Sequence, residues 1–492
     1  VERSGSGGPA VGIPPTGGRA RSAVLQSQPP GDGNAPGGVR SGGRRSASLP
    51  VAEAFERDDE GERRGGRRGT QDEGGHVAAQ DAGLGEVLAD VLAAAHRLAP
   101  REIPGLVQAA AVRLGLSRAS VYLADLQQQH LVALPTPAQA ELLVRSGSAA
   151  LETLVVDTSL AGRAYRTEAV QTTEDGGAES GWLPLVDGIE RLGVLKVSAP
   201  RLDPPALARC RALASLTALI LVSKQHQSDV LAQTMRTRPM TLQAELLWAF
   251  VPPRTIGTTE VTSAAALEPA YEIGGDAFDH SLAGRRLHLT LLDAMGHDLA
   301  SGGCSAVALS ACRSTRRAGG GLADIAEQID RTLARWIPDR LLTCVLADLD
   351  IATGRLDWIN CGHPAPLLLR AGRIVTGALE RPAHLPLGLN DPGLPAPAVH
   401  TARLQPGDRV LMFTDGVTEA RSPDGELFGE ARLADTVARA MADGLPAPEA
   451  LRRLIQQILH HQDQRLRDDA TILLTEWHPS RDPGQGPARG VR

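Results

Sequence analysis

The sequence predicts an α+β protein in which two globular segments are joined by a helical stretch. Three observations carry this. Apolar residues recur at helical spacing from Leu84 onward. Short apolar runs broken by polar turns read as antiparallel strands. Four aspartates in the C-terminal half stand at the ends of such runs or in turns, three of them with glycine within a few residues. A length of 492 residues is enough for two or three domains, each with its own core.

Residues 1–78 are dominated by Gly, Arg, Ser, Pro and acidic clusters such as Asp58-Asp59-Glu60. Such a segment buries too little apolar surface to offset chain entropy, so it is predicted to be disordered, most simply as a dispensable extension. Leu84, Val87, Leu88, Val91, Leu92 and Ala95 then mark a helix, and Pro104 to Leu116 a second. Ser120–Ala124 and His130–Leu134 read as paired strands, Leu160–Thr167 as a short helix, and Trp182–Val186 with Arg191–Val197 as a hairpin around Asp187-Gly188. Residues 207–250 read as a helical connector, with Leu213, Leu216, Ile220, Val230 and Leu231 on a seam where two copies could pair. Its last segment, Leu242–Phe250, must stop at Pro252-Pro253. The tail over 479–492 is again Gly/Pro/Arg-rich and is predicted to be loose.

Composition narrows the function. Hydrophobic residues make up 42% and aromatics 3%, so the cores must be built from Ala, Leu and Val. A net charge of −6 argues against bulk nucleic-acid binding. The basic residues are nearly all Arg, with Lys196 and Lys224 the lysines present, and GC-rich coding accounts for that more simply than phosphate recognition. Cys210, Cys304, Cys312, Cys344 and Cys361 form no CxxC pair and no zinc spacing, and none has Arg six residues on, as a cysteine-phosphatase loop requires. They are expected to be reduced core residues of a cytoplasmic protein. The apolar stretch Ala212–Val222 is too short to span a bilayer, and residues 1–30 hold no hydrophobic region of a secretory leader, so no membrane partner is expected. No kinase or ATP-binding signature is present.

The aspartates lie in Glu272-Ile273-Gly274-Gly275-Asp276, Leu292-Asp293-Ala294-Met295-Gly296-His297, Phe413-Thr414-Asp415-Gly416 and Arg467-Asp468-Asp469-Ala470-Thr471. Hard divalent cations prefer oxygen ligands, and carboxylates gathered at strand ends supply them. Taken singly, each aspartate is more often a turn or cap residue. Hydrolysis of a phosphate monoester requires an activated water, charge compensation and in-line geometry, all of which two adjacent ions can supply.

In order, wording and spacing these segments resemble the SpoIIE/RsbU-type branch of the metal-dependent type 2C (PP2C) serine/threonine protein phosphatases. "LAGRAYRT" ahead of "WLPLVDGIERLGVLKV" resembles a GAF sensor domain over residues 84–225. The resemblance implies a PP2C-like α-β-β-α sandwich over residues 240–478, flanked by helices such as Leu299–Arg317 and Leu322–Trp336, preceded by an α/β GAF-like domain and the connector. It implies two manganese or magnesium ions. Asp293 would bridge them, the Ala294 carbonyl would also coordinate, Asp276 would line the second ion, and Asp415, in an unchanged "TDGVTE", would be a further ligand. The wider type 2C pattern makes Asp468 the ligand and Asp469 its neighbour, with the opposite register open. Ala294 and Asp298 depart from the family's "DVMGHG", and Asp298 adds a carboxylate near the site. Asn360-Cys361-Gly362-His363-Pro364 resembles the family's "NAGHP". A structural role and a substrate or acid role both stay open for His363, while His297 reads as turn-stabilising. The implied substrate is a phosphorylated regulatory protein of the anti-sigma-factor-antagonist type, and the GAF domain would bind an unknown small ligand and gate the enzyme through the connector. The rival expectation is an inactive sensor or scaffold. A nucleotide-binding sensor alone would leave the C-terminal motifs unexplained.

Overall fold

The computed structural model describes residues 72–479, apart from 148, 176, 390–392, 394, 464, 465 and 467. The disorder expected over residues 1–78 thus lies outside the described residues up to 71, as does the tail from 480 onward, and the first helix already begins at Asp72.

In the N-terminal half, α1 (Asp72–Ala95) and α2 (Ile103–Arg113) precede strands β1 (Arg118–Ala124) and β2 (His130–Ala133). Next come α3 (Pro137–Ser146), β3 (Thr153–Val155), α4 (Leu160–Thr167) and β4 (Gln171–Asp175). The hairpin β5 (Ala178–Asp187) and β6 (Glu190–Ala199) leads to α5 (Pro204–Lys224) and α6 (Asp229–Thr234). The sheet is antiparallel, in the order β3-β2-β1-β6-β5-β4. Alternation sorts its side chains between faces. Val121 and Leu123 of β1 join the core under α1, α2 and α5, whereas Tyr122 and Ala124 pack with Ala161, Ala164 and Tyr165 of α4.

Helix α5 is longer than the apolar stretch read from sequence. Asp203 caps it by accepting from the Ala206 N–H at 2.9 Å, with prolines in its first turn. Its 21 residues are long and apolar enough to cross a membrane, beyond the shorter stretch read from sequence. Yet Cys210, Leu213, Ala214, Ala218 and Leu221 are buried in the N-terminal core, which makes it the core helix of this half. Of the seam read from sequence, Leu213, Ile220 and Leu231 belong to this same buried core, with Leu216 packed against it.

The C-terminal half opens with α7 (Leu242–Phe250), capped by Thr241 and ended by extended Val251 ahead of the two prolines. Strands β7 (Thr255–Gly257), β8 (Val261–Glu268), β9 (Asp276–Ala283) and β10 (Arg286–Ala294) follow, then α8 (Leu299–Arg317) and α9 (Leu322–Trp336), over the two ranges expected. Beyond them lie β11 (Leu342–Asp350), β12 (Arg355–Cys361), β13 (Leu367–Arg370), β14 (Arg373–Ile374), β15 (His400–Arg403) and β16 (Arg409–Phe413). A short α10 (Asp415–Thr418), then α11 (Gly429–Ala442), α12 (Ala447–His461) and β17 (Ala470–Trp477) complete it. One antiparallel sheet runs β15-β12-β11-β10-β9 and the other β14-β13-β16-β17-β8-β7. Helices α8 and α9 cover the first sheet, and α11 and α12 the second. The result is the α-β-β-α sandwich. Along β17 the alternation is direct: Leu473 points into the core between the sheets, while Ile472 and Leu474 join the α11–α12 core. All five cysteines are buried and unpaired.

The two halves meet across a polar face. The Arg191 guanidinium donates to Glu449 of α12 at 2.9 Å, Arg452 donates to Asp157 at 2.6 Å and to Glu449 at 3.0 Å, and Arg254 donates to the Leu126 carbonyl at 2.6 Å. Gln127 donates to Glu268 at 2.9 Å. Glu268 is buried, and its carboxyl is pushed up to about 7, chiefly by burial, with Asp125 adding to the rise and the Ala270 N–H, Gln127 and Arg254 opposing it. A folded-state pKa above the unfolded value means that the native state holds the proton more tightly between about 4.5 and 7. That contribution is therefore complete below the window and lost as pH rises through it. Glu268→Gln keeps the neutral form, and it is expected to remove a pH-dependent decline on the order of 2–3 kcal/mol, read as Tm at pH 5 and pH 8 in both proteins.

Candidate metal centre

The carboxylates meet because of strand register. Asp276, first in β9, pairs directly with Asp293 near the end of β10, and Asp293 pairs on its other side with Thr343 of β11. Residues opposite one another in a ladder point to the same face, so Asp276 and Asp293 stand side by side. The second sheet brings the others. Phe413 of β16 pairs with Ile472 of β17, which sets Asp415, just past β16, beside Asp468 and Asp469, just before β17. Thr414 ties the sheets together: its hydroxyl donates to Asp276 Oδ2 at 2.7 Å and accepts from the Thr471 N–H at 2.9 Å.

Three glycines let these segments touch. A Cβ on Gly274 would overlap the His297 backbone, one on Gly275 the Ala294 carbonyl, and one on Gly416 the Asp469 carbonyl. Here glycine is required by close backbone approach. No flexible side chain can yield at Gly416, so Gly416→Ala is expected to cost about 1–3 kcal/mol in urea unfolding and to splay the two strand ends apart.

The adjacent aspartates divide their work. Asp469, 6% exposed, accepts at Oδ2 from the Gly274, Gly275 and Asp276 N–H groups at 2.9, 2.6 and 3.2 Å. Three successive amides around one carboxylate form an anion nest, so Asp469 fastens the bend that delivers Asp276. Asp468 is exposed on the solvent side of the cluster. Asp298, the extra carboxylate, is turned away to cap α8: it accepts from the Ser301 N–H at 2.8 Å and pairs with Arg340 at 2.9 Å. Those hydrogen bonds, from Ser301 first and then Arg340, hold it well below the usual carboxylate range. Arg340 also donates to the Met295 carbonyl at 3.0 Å, clamping the turn after Asp293.

Burial and mutual repulsion set the electrostatics. Asp276, 2% exposed, is raised well above the ordinary range by burial and then by Asp293 and Asp469. Asp293 is pushed up to about 7 by burial and the charges of Asp415, Asp468 and Asp469, against a hydrogen bond from Thr343. Asp415 rises through burial, Asp468 and Glu419. Asp469 rises through burial, opposed by its three amides. Among the described residues, the neighbouring charges that act most strongly on these carboxyls are one another's and that of Glu419, all acidic. Oxygen donors crowded in this way suit a hard divalent cation. Among the described residues no three acidic, imidazole or thiol side chains are close enough together to ligate one ion directly. A divalent cation held here would therefore need water as well as carboxylate ligands.

His363 stands behind Asp293. It is buried, its Nδ1 lies 2.8 Å from the Thr343 hydroxyl, and its backbone is gripped at both ends by Asn360 at 2.7 and 2.9 Å. Burial lowers its pKa to about 4, opposed by a contact to the Phe413 backbone carbonyl, so the neutral imidazole is favoured there. His297 is exposed on the turn. The sequence reading missed Thr343, Thr414 and Arg340. Thr414 stood in plain view beside Asp415, whereas Thr343 becomes visible only through strand pairing.

Residues 283–478 match the family model described as stage II sporulation protein E (SpoIIE). This segment is a SpoIIE-family domain. Over 126 residues the chain is 29% identical to Protein IcfG of Synechocystis sp., a stretch that covers 25% of this chain and 19% of that protein. The chain therefore spans about a fifth of the length of that curated relative. Among solved structures, the RsbU and RsbW domains of Rv1364c from Mycobacterium tuberculosis are 26% identical over 47% of this chain and 64% of that one, with a TM-score of 0.40. The SpoIIE phosphatase domain of Bacillus subtilis with a fragment of its regulatory domain is 15% identical over 84% and 98%, with a TM-score of 0.38. The SpoIIE-family domain contains Asp293, Asp415, Asp468 and Asp469, while Asp276 lies seven residues ahead of the matched segment.

Proposed function

We propose that the chain is a metal-dependent phosphoprotein phosphatase that hydrolyses phosphoserine or phosphothreonine on a regulatory protein. The observation that carries the reading is a cluster of four carboxylates, Asp276, Asp293, Asp415 and Asp468, on facing sheet ends of a SpoIIE-family domain, without a basic residue among the groups that most perturb them. Asp293, flanked by Asp276 and by the Asp415–Asp468 pair, would in this reading be the shared ligand, with the Ala294 carbonyl as a further donor. Asp468 is preferred to Asp469 as ligand because three amides already occupy Asp469. When bound, two magnesium or manganese ions supply an activated water and compensation for phosphoryl charge. The chain's part is orientation. Thr343 and His363 fix Asp293, Thr414 fixes Asp276, and Arg340 with Asp298 fixes the turn. The target by resemblance is an anti-sigma-factor antagonist in the cytoplasm, with the N-terminal half a GAF-type sensor for a small ligand.

The test is hydrolysis of p-nitrophenyl phosphate by the full chain with manganese, with magnesium and with chelator. Turnover that needs metal and falls at least about a hundredfold in Asp415→Asn supports the reading. No turnover, together with no heat of manganese binding in calorimetry, would leave the inactive scaffold as the better description.

A further inference from the structure

The segment between β8 and β9 ends on the cluster and begins on the other half of the protein. At its far end, Gly274, Gly275 and Asp276 form the amide nest that Asp469 holds. At its near end, Glu268 accepts at one oxygen, Oε2, from Gln127 of the β1–β2 turn and from the Ala270 N–H, each at 2.9 Å. Three residues on, buried Tyr271 places its hydroxyl 3.0 Å from the Thr237 hydroxyl and 3.1 Å from the Thr237 N–H. Thr237 also reaches Asp125, at 3.4 Å. Asp125 is buried and organises the same β1–β2 turn, accepting from the Gln129 and His130 N–H groups at 2.8 and 3.0 Å. Tyr271, Ile273 and Ala270 are all buried, so the segment cannot slacken independently of its ends.

From this geometry we infer that the β1–β2 turn of the N-terminal half sets the position of Asp276, through Gln127–Glu268 and Thr237–Tyr271. Gln127, Glu268 and Tyr271 are positioning residues for the cluster. The inference rests on reading that cluster as a metal centre. One arm of the coupling, Thr237–Tyr271, starts within the 207–250 stretch expected from sequence as the connector, and the other, Gln127–Glu268, lies outside it. The strut stands apart from the rest of the interface. Gln456 of α12 touches the same turn, at the Gln129 side chain and the Gln127 carbonyl, and among the described residues these hydrogen bonds do not extend to the 268–276 segment.

The experiment titrates manganese into the full chain, following free manganese by electron paramagnetic resonance and p-nitrophenyl phosphate turnover in parallel. Wild type is compared with Gln127→Ala, Tyr271→Phe, their double variant and Gln456→Ala, each checked for native circular dichroism and Tm. The expected result is a manganese dissociation constant raised five-fold or more in each single variant. The double variant should be little worse than either, since both break one strut. Saturating manganese should restore kcat to within two-fold in each, and Gln456→Ala should stay within two-fold throughout. Folded variants that bind manganese as wild type does would overturn the inference alone. So would an equal loss in Gln456→Ala, which would mean that the whole interface matters and not this strut. Wild type that binds no manganese would overturn the metal-centre reading, and the inference with it.

Discussion

Asp293→Asn is expected to lower manganese-dependent turnover by about a hundred- to a thousandfold or more, with protein fold and p-nitrophenyl phosphate access intact. Asp293 is the carboxylate on which the others converge: Asp276 is its ladder partner, and Asp415, Asp468 and Asp469 all act on it electrostatically. An amide of the same shape keeps the Thr343 contact but lacks the charge to hold a cation. The same substitution carries an opposite effect on the metal-free protein. Removing one charge from a group of crowded carboxylates relieves repulsion, so the apo Tm should rise by about 2–4 °C, corresponding to roughly 1 kcal/mol. Gain of apo stability with loss of turnover is the signature of a site whose strain serves function. Calorimetric melts with chelator, beside rate measurements with manganese, read both. An Asp293→Asn protein that turns over normally would remove Asp293 from the chemistry.

Glu449→Ala is expected to destabilise the protein by about 3–5 kcal/mol. Glu449 is 1% exposed and accepts from three guanidiniums: Arg191 at 2.9 Å, Arg452 at 3.0 Å and Arg453 at 3.2 Å. Burial raises its pKa, but Arg452 and then Arg191 outweigh that and leave it lowered. Truncation leaves Arg191 and Arg452, each under 5% exposed, facing a void without their common counter-ion. Arg452 keeps Asp157 at 2.6 Å, so the loss comes mostly from the stranded charge of Arg191, and replacing Glu449 and Arg191 together by leucine and methionine should cost far less than Glu449→Ala alone. Urea unfolding of the three proteins decides it, and additive losses would contradict the account. A lowered pKa also fixes the sign with pH: the contribution of Glu449 is present above its unfolded pKa and lost as pH falls through the folded value.

How much of this was legible beforehand follows from the range of each interaction. The ends of α8 and α9 could be read because periodicity and caps are local. The aspartate segments could be read because each pairs a strand end with a turn, and for two of them the nearby glycines carry a physical requirement: Gly275 next to Asp276 and Gly416 next to Asp415 are where backbones collide if a Cβ is added. The division of labour between Asp468 and Asp469 was not legible, since both are carboxylates in one turn. What the structure adds is that Asp469, and not Asp468, meets the amides of residues 274–276, nearly two hundred positions earlier. Asp298 looked like an added charge at the site, and its role as the α8 cap paired with Arg340 appears only once the 340 region folds back onto the turn.

Sequence alone therefore determined many of the helices and strands, because hydrophobic period and turn chemistry are written in neighbouring residues, and its resemblance to a known family supplied the sandwich and the candidate carboxylates. Tertiary structure decided which backbone amides Asp469 meets, that Leu213, Ile220 and Leu231 are packed in the N-terminal core, and that Gln127 meets Glu268 across the face between the halves. Such contacts join residues more than a hundred positions apart. Their energy depends on burial and pairing geometry, which no local pattern encodes.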